Sequence, residues 1–315
     1  MSGAVFDHPG LLYRGRDEFL SGTTGFVRTA VAAGDAVLVA VPGDNLVALR
    51  DSLADLGGAV DYADMAVDGR NPGRIIPGLL LAFAAAHPGR RVSIIGEPIW
   101  PARSDVEYPA CAAHEALINS VFAERDAAIL CPYDAVRLDR DRLHDAWRTH
   151  PVMIAGGGRR PSPWYADPLA TAAHFNRPLP QVPVRAAASS FATIRDLAHI
   201  RRFVTDHAGR AGLASARIGD LVAAVKELVE NTIVHTPAGG VVCVWAEDGH
   251  LVCQVDDRGF LSDVLAGRVP PAGHIEGGRG LLLANLLCDL VRIHTRPQGT
   301  SIRLHVHRGE LPFDR

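Results

Sequence analysis

Between about residue 13 and residue 150 the chain alternates two hydrophobic patterns. Residues 17–33 carry apolar side chains at helical intervals, 36–41 are apolar without interruption, 45–56 return to helical spacing, and 91–95 and 127–131 are further short apolar runs. Apolar runs of strand length that alternate with amphipathic helices predict an α/β unit in which helices cover both faces of a parallel sheet.

The alternation stops at residue 159. From there to 185 the chain carries Pro161, Pro163, Pro168, Pro178, Pro180 and Pro183, a density that predicts a linker, because proline lacks the N–H that helix and sheet interiors require. A different pattern then begins. Residues 194–211 have helical spacing, with Leu197, Ile200, Phe203 and Val204 on one side, and 218–234 have it again through Leu221, Val225 and Leu228. The β-branched runs 241–246 and 251–255 flank Glu-Asp-Gly-His and predict a hairpin. A helix over 281–290 and a strand over 299–305 complete the series, giving segments 1–158, 159–185 and 186–315.

Polar residues on the 218–234 helix add chemistry. Glu227, Asn231 and His235 follow one another at intervals of four, so they share a stripe distinct from the apolar one. A carboxylate and an amide oxygen one turn apart suit Mg²⁺, a hard ion that prefers oxygen ligands. The alternative is a solvated helix face. Asp257 ends the second hairpin strand, where it can accept a hydrogen bond from a base amino group, and Gly259 permits close backbone approach. Glu276-Gly-Gly-Arg-Gly-Leu281 runs directly into an apolar helix; backbone N–H groups there would favour phosphate. Gly299-Thr300 opens the last strand.

In this order, Glu227-Leu-Val-Glu-Asn231, Asp257-Arg-Gly259, Gly278-Arg279-Gly280 and Thr300 resemble the N, G1 and G2 boxes and closing threonine of the GHKL (Bergerat-fold) ATPases, most of all the anti-sigma factor/serine kinase branch. The resemblance implies a Bergerat-fold α/β sandwich that binds ATP with Mg²⁺. It implies Asn231 as the metal ligand, Glu227 as general base, Asp257 and Thr300 beside adenine, and Gly259, Gly278, Arg279 and Gly280 in the nucleotide-binding loops. The implied partners are a sigma factor and an anti-anti-sigma (STAS-domain) protein, and a homodimer is implied as well. The family's usual second glycine is absent, since Phe260-Leu261 follow Gly259.

Composition narrows these readings. A net charge of -3 offers no basic footprint, so direct nucleic-acid binding is not expected. Five cysteines without a Cys-x-x-Cys pair indicate neither a disulfide framework nor a zinc ribbon and fit a reducing cytoplasm. The apolar run 75–86 is broken by Pro77-Gly78 and is too short to span a bilayer, so no membrane segment is expected.

The alternation in the first segment is similar to RecA/KaiC-type domains. A phosphate loop after the first core strand would fall at Val41-Pro-Gly-Asp-Asn-Leu46, which lacks Gly-Lys-Ser/Thr, so nucleotide binding is not expected in this half. The phrases His8-Pro-Gly-Leu-Leu-Tyr13, Glu97-Pro-Ile-Trp100, Glu107-Tyr108, His114-Glu-Ala-Leu-Ile-Asn119, Cys131-Pro-Tyr-Asp134 and His150-Pro151 resemble the MEDS sensory domain. Trp100, Tyr108 and Tyr133 are candidates either for a small-molecule effector pocket or for the core. The spacing of Cys111, His114, Cys131, His144 and His150 matches no common zinc signature; buried thiols and surface histidines are expected. His114-Glu115 does not sit on a dimerising hairpin joined to the ATPase, so it is not read as a phosphoacceptor. Two functions follow: a cytoplasmic anti-sigma regulator with ATP-dependent serine kinase activity under sensory control, or a non-catalytic ATP-binding module that sequesters a sigma factor or other regulator.

Overall fold

The computed structural model describes residues 5–236, 238–270 and 278–309. The chain forms two compact units, Met1–Phe175 and Asn176–Arg315, each with its own core.

In the first unit the strands are β1 (Phe6–Asp7), β2 (Pro9–Tyr13), β3 (Ala36–Val41), β4 (Val60–Asp64), β5 (Val92–Gly96), β6 (Ala127–Asp134), β7 (Val152–Ala155) and β8 (Gly158–Pro161). The helices are α1 (Gly15–Ala32), α2 (Gly43–Ser52), α3 (Pro72–Arg74), α4 (Leu81–Ala86), α5 (Tyr108–Phe122), α6 (Arg140–Thr149) and α7 (Pro168–His174). The sheet order is β4-β3-β5-β6-β2-β7-β8, all parallel except the β7–β8 pair, with β1 beside β6 at the start of β2's track. This is the expected RecA/KaiC-like sheet. Strands β3, β5 and β6 are buried along their whole length, as uninterrupted apolar runs require.

Two expectations are corrected in this unit. The first core strand is β2, not 36–41, and Arg14 alone separates it from α1, which opens Gly15-Arg16, again without Gly-Lys-Ser/Thr. A strand only five residues long, beginning Pro-Gly, is hard to see by period. The proline-rich stretch also holds regular structure, because its prolines lie where helices and sheets tolerate them. Pro161 closes the edge strand β8, and Pro168 opens α7 behind the Asp167 cap, whose side chain accepts from the Ala170 N–H at 2.8 Å. Pro77 lies in a π-helical turn, Ile75–Leu80, that joins α3 to α4. Tyr108 and Tyr133 are buried, and Tyr108 donates to Asp145 at 2.7 Å, so both serve the core.

The second unit has β9 (Ala187–Phe191), α8 (Leu197–Arg210), α9 (Ser215–His235), β10 (Gly240–Glu247), β11 (His250–Asp257), α10 (Gly280–Leu287), β12 (Leu290–Arg296) and β13 (Gly299–His307). Its antiparallel sheet runs β12-β13-β11-β10-β9. The expected hairpin is β10–β11, closed by Asp248 and Gly249 at φ 44° and 78°, the positive pair that a right-twisted two-residue turn needs. One face of the sheet packs through Val242, Val244, Leu251 and Leu304 against Val204 of α8, Leu221 and Val225 of α9 and Ala284 of α10. On the other face, Val182 and Ala186 of the proline-rich segment cover Trp245 and Val252, and the Arg303 guanidinium donates to the Pro180 carbonyl. The helix expected over 281–290 ends at Leu287; Leu290 already belongs to β12.

Candidate functional site

Helix α9 has two working stripes. Leu221, Ala224, Val225, Leu228 and Val229 are buried against the sheet, which fixes the rotation of the helix. That rotation leaves Glu227 and Asn231 half-buried at the core's margin and His235 exposed. Beside them opens a cavity of about 480 Å³, within the ordinary range for a small-molecule site.

Asp257 lies on its wall at the end of β11, held from two sides. One carboxylate oxygen accepts from the Thr232 hydroxyl at 2.7 Å and the other from the Gly259 N–H at 2.7 Å. A fixed carboxylate retains lone pairs for a ligand's donor. Gly259 has to be glycine: a β-carbon there would lie 2.6 Å from Thr236 Cγ2 and 3.1 Å from Asp257 Oδ1. Thr300 secures the same turn by donating to the Gly259 carbonyl at 2.9 Å, and its hydroxyl lies 2.8 Å from that of Thr295. Thr295 in turn accepts from the Leu261 N–H at 2.9 Å, so Phe260-Leu261 is anchored despite the missing second glycine.

Next to the Gly278 and Leu281 that line the cavity, the buried Gly280 begins α10 against α9. A β-carbon on Gly280 would fall 2.6 Å from Asn231 Nδ2 and 3.2 Å from Glu227 Cβ. The glycine therefore brings a helix N-terminus to the Glu227–Asn231 stripe, an arrangement that favours anions. Among the described residues no hydrogen bond engages the Asn231 amide. Glu227 is engaged: its carboxylate is 3.3 Å from the Lys226 ammonium, which also lies 2.7 Å from Glu230. The Glu230 bond first, then Glu227, holds the Lys226 pKa above its ordinary value.

Asn231, Asp257, Gly259, Gly278 and Thr300 thus line one cavity. Glu227 stands one turn before Asn231 at the Gly280 contact, and Arg279 is exposed at the start of α10. The Glu276-Gly277 part of the glycine loop lies outside the described residues.

Residues 7–151 match the MEDS domain, described as MEthanogen/methylotroph, DcmR Sensory domain. Residues 191–306 match the histidine kinase-like ATPase domain. The chain is thus similar to a MEDS domain over one stretch and to a histidine kinase-like ATPase domain over the other, and the two stretches are called by those names below. A crystal structure of the RsbU and RsbW domains of a Mycobacterium tuberculosis protein is 24% identical over 40% of this chain, with a TM-score of 0.31. The match spans 33% of that structure's chain. No curated protein matches.

The ATPase domain also uses residues that sequence reading passed over. Thr232 falls inside the expected 218–234 helix and Thr236 just past it, with no role read for either, yet Thr232 orients Asp257, and Thr236 packs where Gly259 must stay small. Their signal was available in sequence: Thr232 directly follows Asn231 and lies on the buried stripe with Leu228. No described helix in either domain is long and apolar enough to cross a membrane.

Proposed function

We propose that the ATPase domain binds ATP with Mg²⁺ and works in the cytoplasm as an anti-sigma regulator with serine kinase activity towards a STAS-domain partner, under control of the MEDS domain. The observation that carries nucleotide binding is the doubly held Asp257 on the wall of a cavity that Asn231 also lines, with Gly280 packed against that asparagine. The residues fit the group. Asp257 would accept from the adenine amino group beside Thr300, and Asn231 would offer its amide oxygen to the metal. Backbone N–H groups at Gly278, Arg279 and Gly280 would face phosphate where a side chain would intrude. Bound Mg-ATP supplies a γ-phosphoryl group whose charge the ion offsets. Glu227 would orient a serine hydroxyl and take its proton, and positioning of this kind is most of what such chemistry asks of a protein. Partner contact would add a sigma factor and, in a dimer, a second copy.

A second reading is a non-catalytic module that holds nucleotide and sequesters its partner. The Lys226–Glu227 ion pair favours it, since the Lys226 ammonium, 3.3 Å away, already engages the carboxylate that would have to meet a serine hydroxyl. Two variants separate the readings. Asn231→Ala should lose Mg-ATP binding in calorimetry, and retained affinity would remove the site from both readings. Glu227→Ala should keep binding but lose transfer of labelled phosphate to STAS-domain serines. If the wild-type chain itself transfers none while binding such partners only with nucleotide present, the sequestering module stands.

A further inference from the structure

The MEDS domain buries a group of ionisable side chains that no step of the proposed function uses. His8 sits at the break between β1 and β2, Glu115 on α5, Cys131 in β6 and His150 just past α6, and all four are fully buried. One ligand-capable atom from each lies within 4.8 Å of all the others. Glu115 Oε2 is 3.2 Å from His150 Nε2 and 3.5 Å from His8 Nε2, while Cys131 Sγ is 3.4 Å from His8 Nε2.

The surroundings decide what these atoms present. Nδ1 of His150 faces the Ala146 carbonyl oxygen at 2.8 Å, a pure acceptor, so that nitrogen carries the proton. Nδ1 of His8 lies 3.0 Å from the Asn119 side-chain oxygen. The oxygen is identified because the Asn119 amide nitrogen donates to the Thr149 carbonyl at 2.7 Å. With Nδ1 carrying the proton, each imidazole in its neutral form turns an Nε2 lone pair inward, towards a carboxylate. Among the described residues neither Glu115 oxygen, nor His150 Nε2, has an aligned hydrogen-bond partner. Three lone-pair groups thus converge with one thiol proton among them, and leaving such groups unpaired away from water is costly.

A cation at the centre resolves the conflict. We propose that His8, Glu115, Cys131 and His150 form a closed binding site for a divalent transition-metal ion, with Zn²⁺ the best fit. Tetrahedral zinc with bonds of about 2.0–2.3 Å requires ligand–ligand edges of about 3.3–3.8 Å. The separations of 3.2, 3.4 and 3.5 Å are close to that size. Two imidazoles, a thiolate and a carboxylate suit an ion of intermediate softness, not Mg²⁺ or Ca²⁺. Ala146 and Asn119 hold the imidazoles from outside, as metal-bound histidines are commonly held. Binding converts the thiol to a metal thiolate and releases its proton to solvent, with no redox change.

Elemental analysis of the full chain, purified under reducing conditions without chelator, should find one zinc per chain, retained in Asn231→Ala. After chelation, Co²⁺ should produce the visible bands of a tetrahedral ion and a thiolate-to-cobalt charge-transfer band in the near ultraviolet. Cys131→Ser should lose the charge-transfer band, His150→Gln should bind at least tenfold more weakly, and His144→Ala, outside the cluster, should keep both signals. Circular dichroism establishes that each variant is folded, and should none fold, the wild-type titration decides. A folded wild-type chain that contains no metal as isolated, and takes up neither Co²⁺ nor Zn²⁺ by calorimetry, overturns the proposal. The cluster's occupant would then be a proton shared by Glu115 and the imidazoles.

Discussion

At Gly280 the ATPase domain leaves out a single methyl group. The missing β-carbon would overlap the Asn231 amide at 2.6 Å and crowd Glu227 at 3.2 Å, so α10 can approach α9 only with glycine at this position. Gly280→Ala is expected to weaken Mg-ATP binding by at least tenfold, about 1.4 kcal/mol, because the alanine displaces the side chain proposed to meet the metal. Calorimetry on the folded variant checks this, and unchanged affinity would separate Gly280 from the site. Glu97 poses a different residue-scale problem in the MEDS domain. It is fully buried beyond the end of β5, accepting from Asn45 at 2.8 Å and Tyr13 at 3.3 Å. Burial pushes its pKa up from 4.5 to about 8, against those two hydrogen bonds. The folded state therefore binds this proton more tightly than the unfolded chain. The stabilisation is complete below about pH 4.5 and is lost as pH rises through about 8. Glu97→Gln should flatten that dependence, which amounts to about 1.4 kcal/mol per pH unit at its steepest, and should make the domain more stable than wild type at pH 8.5. Urea midpoints at pH 5 and pH 8.5 supply the comparison.

At the scale of elements, α9 separates stability from binding by face. Leu221 is fully buried in the core and is absent from the cavity wall. Leu221→Ala should cost about 2–5 kcal/mol of unfolding free energy, read from denaturant midpoints. Affinity for nucleotide should persist in the molecules that remain folded; a large affinity loss would mean that the two faces are coupled. Asn231, Asp257 and Thr300 were singled out by the resemblance of their motifs to the GHKL boxes, whereas this helix and the β10–β11 hairpin could be read directly, because local period and turn chemistry select both elements without help from distant residues. β12 was hidden because apolar residues continue from Leu286 to Val291 with Asp289 the one interruption, and no glycine or proline marks the change from helix to strand between Leu287 and Leu290. β8 and α7 were hidden for the opposite reason. Their prolines read as breakers, yet they occupy an edge-strand end and a helix start.

For the whole molecule, two units with separate cores predict two unfolding events. On the proposed function nucleotide would bind only the folded ATPase domain, so Mg-ATP at a hundred times its Kd should stabilise one transition by about 2.7 kcal/mol. Zinc should act on the other. Scanning calorimetry with each ligand in turn tests this, and a single peak moved by both would show that the units melt together. Long-range assembly is also where sequence reading stopped. His8, Glu115, Cys131 and His150 come from four separated phrases, and only the parallel sheet with α5 across it gathers them. No spacing rule covers such a set, so Cys131 and His150 read as ordinary buried or surface residues although both are wholly enclosed.

Lys226 is the only lysine in the chain, and it adjoins the carboxylate proposed to carry the chemistry. Among side chains, an amine-directed dye would therefore label one place alone, beside the helix stripe of Glu227 and Asn231 that is proposed to meet the nucleotide. Its emission would follow pocket occupancy in a chain otherwise untouched, and the same modification, by uncoupling the ammonium from Glu227, would show whether that ion pair restrains turnover.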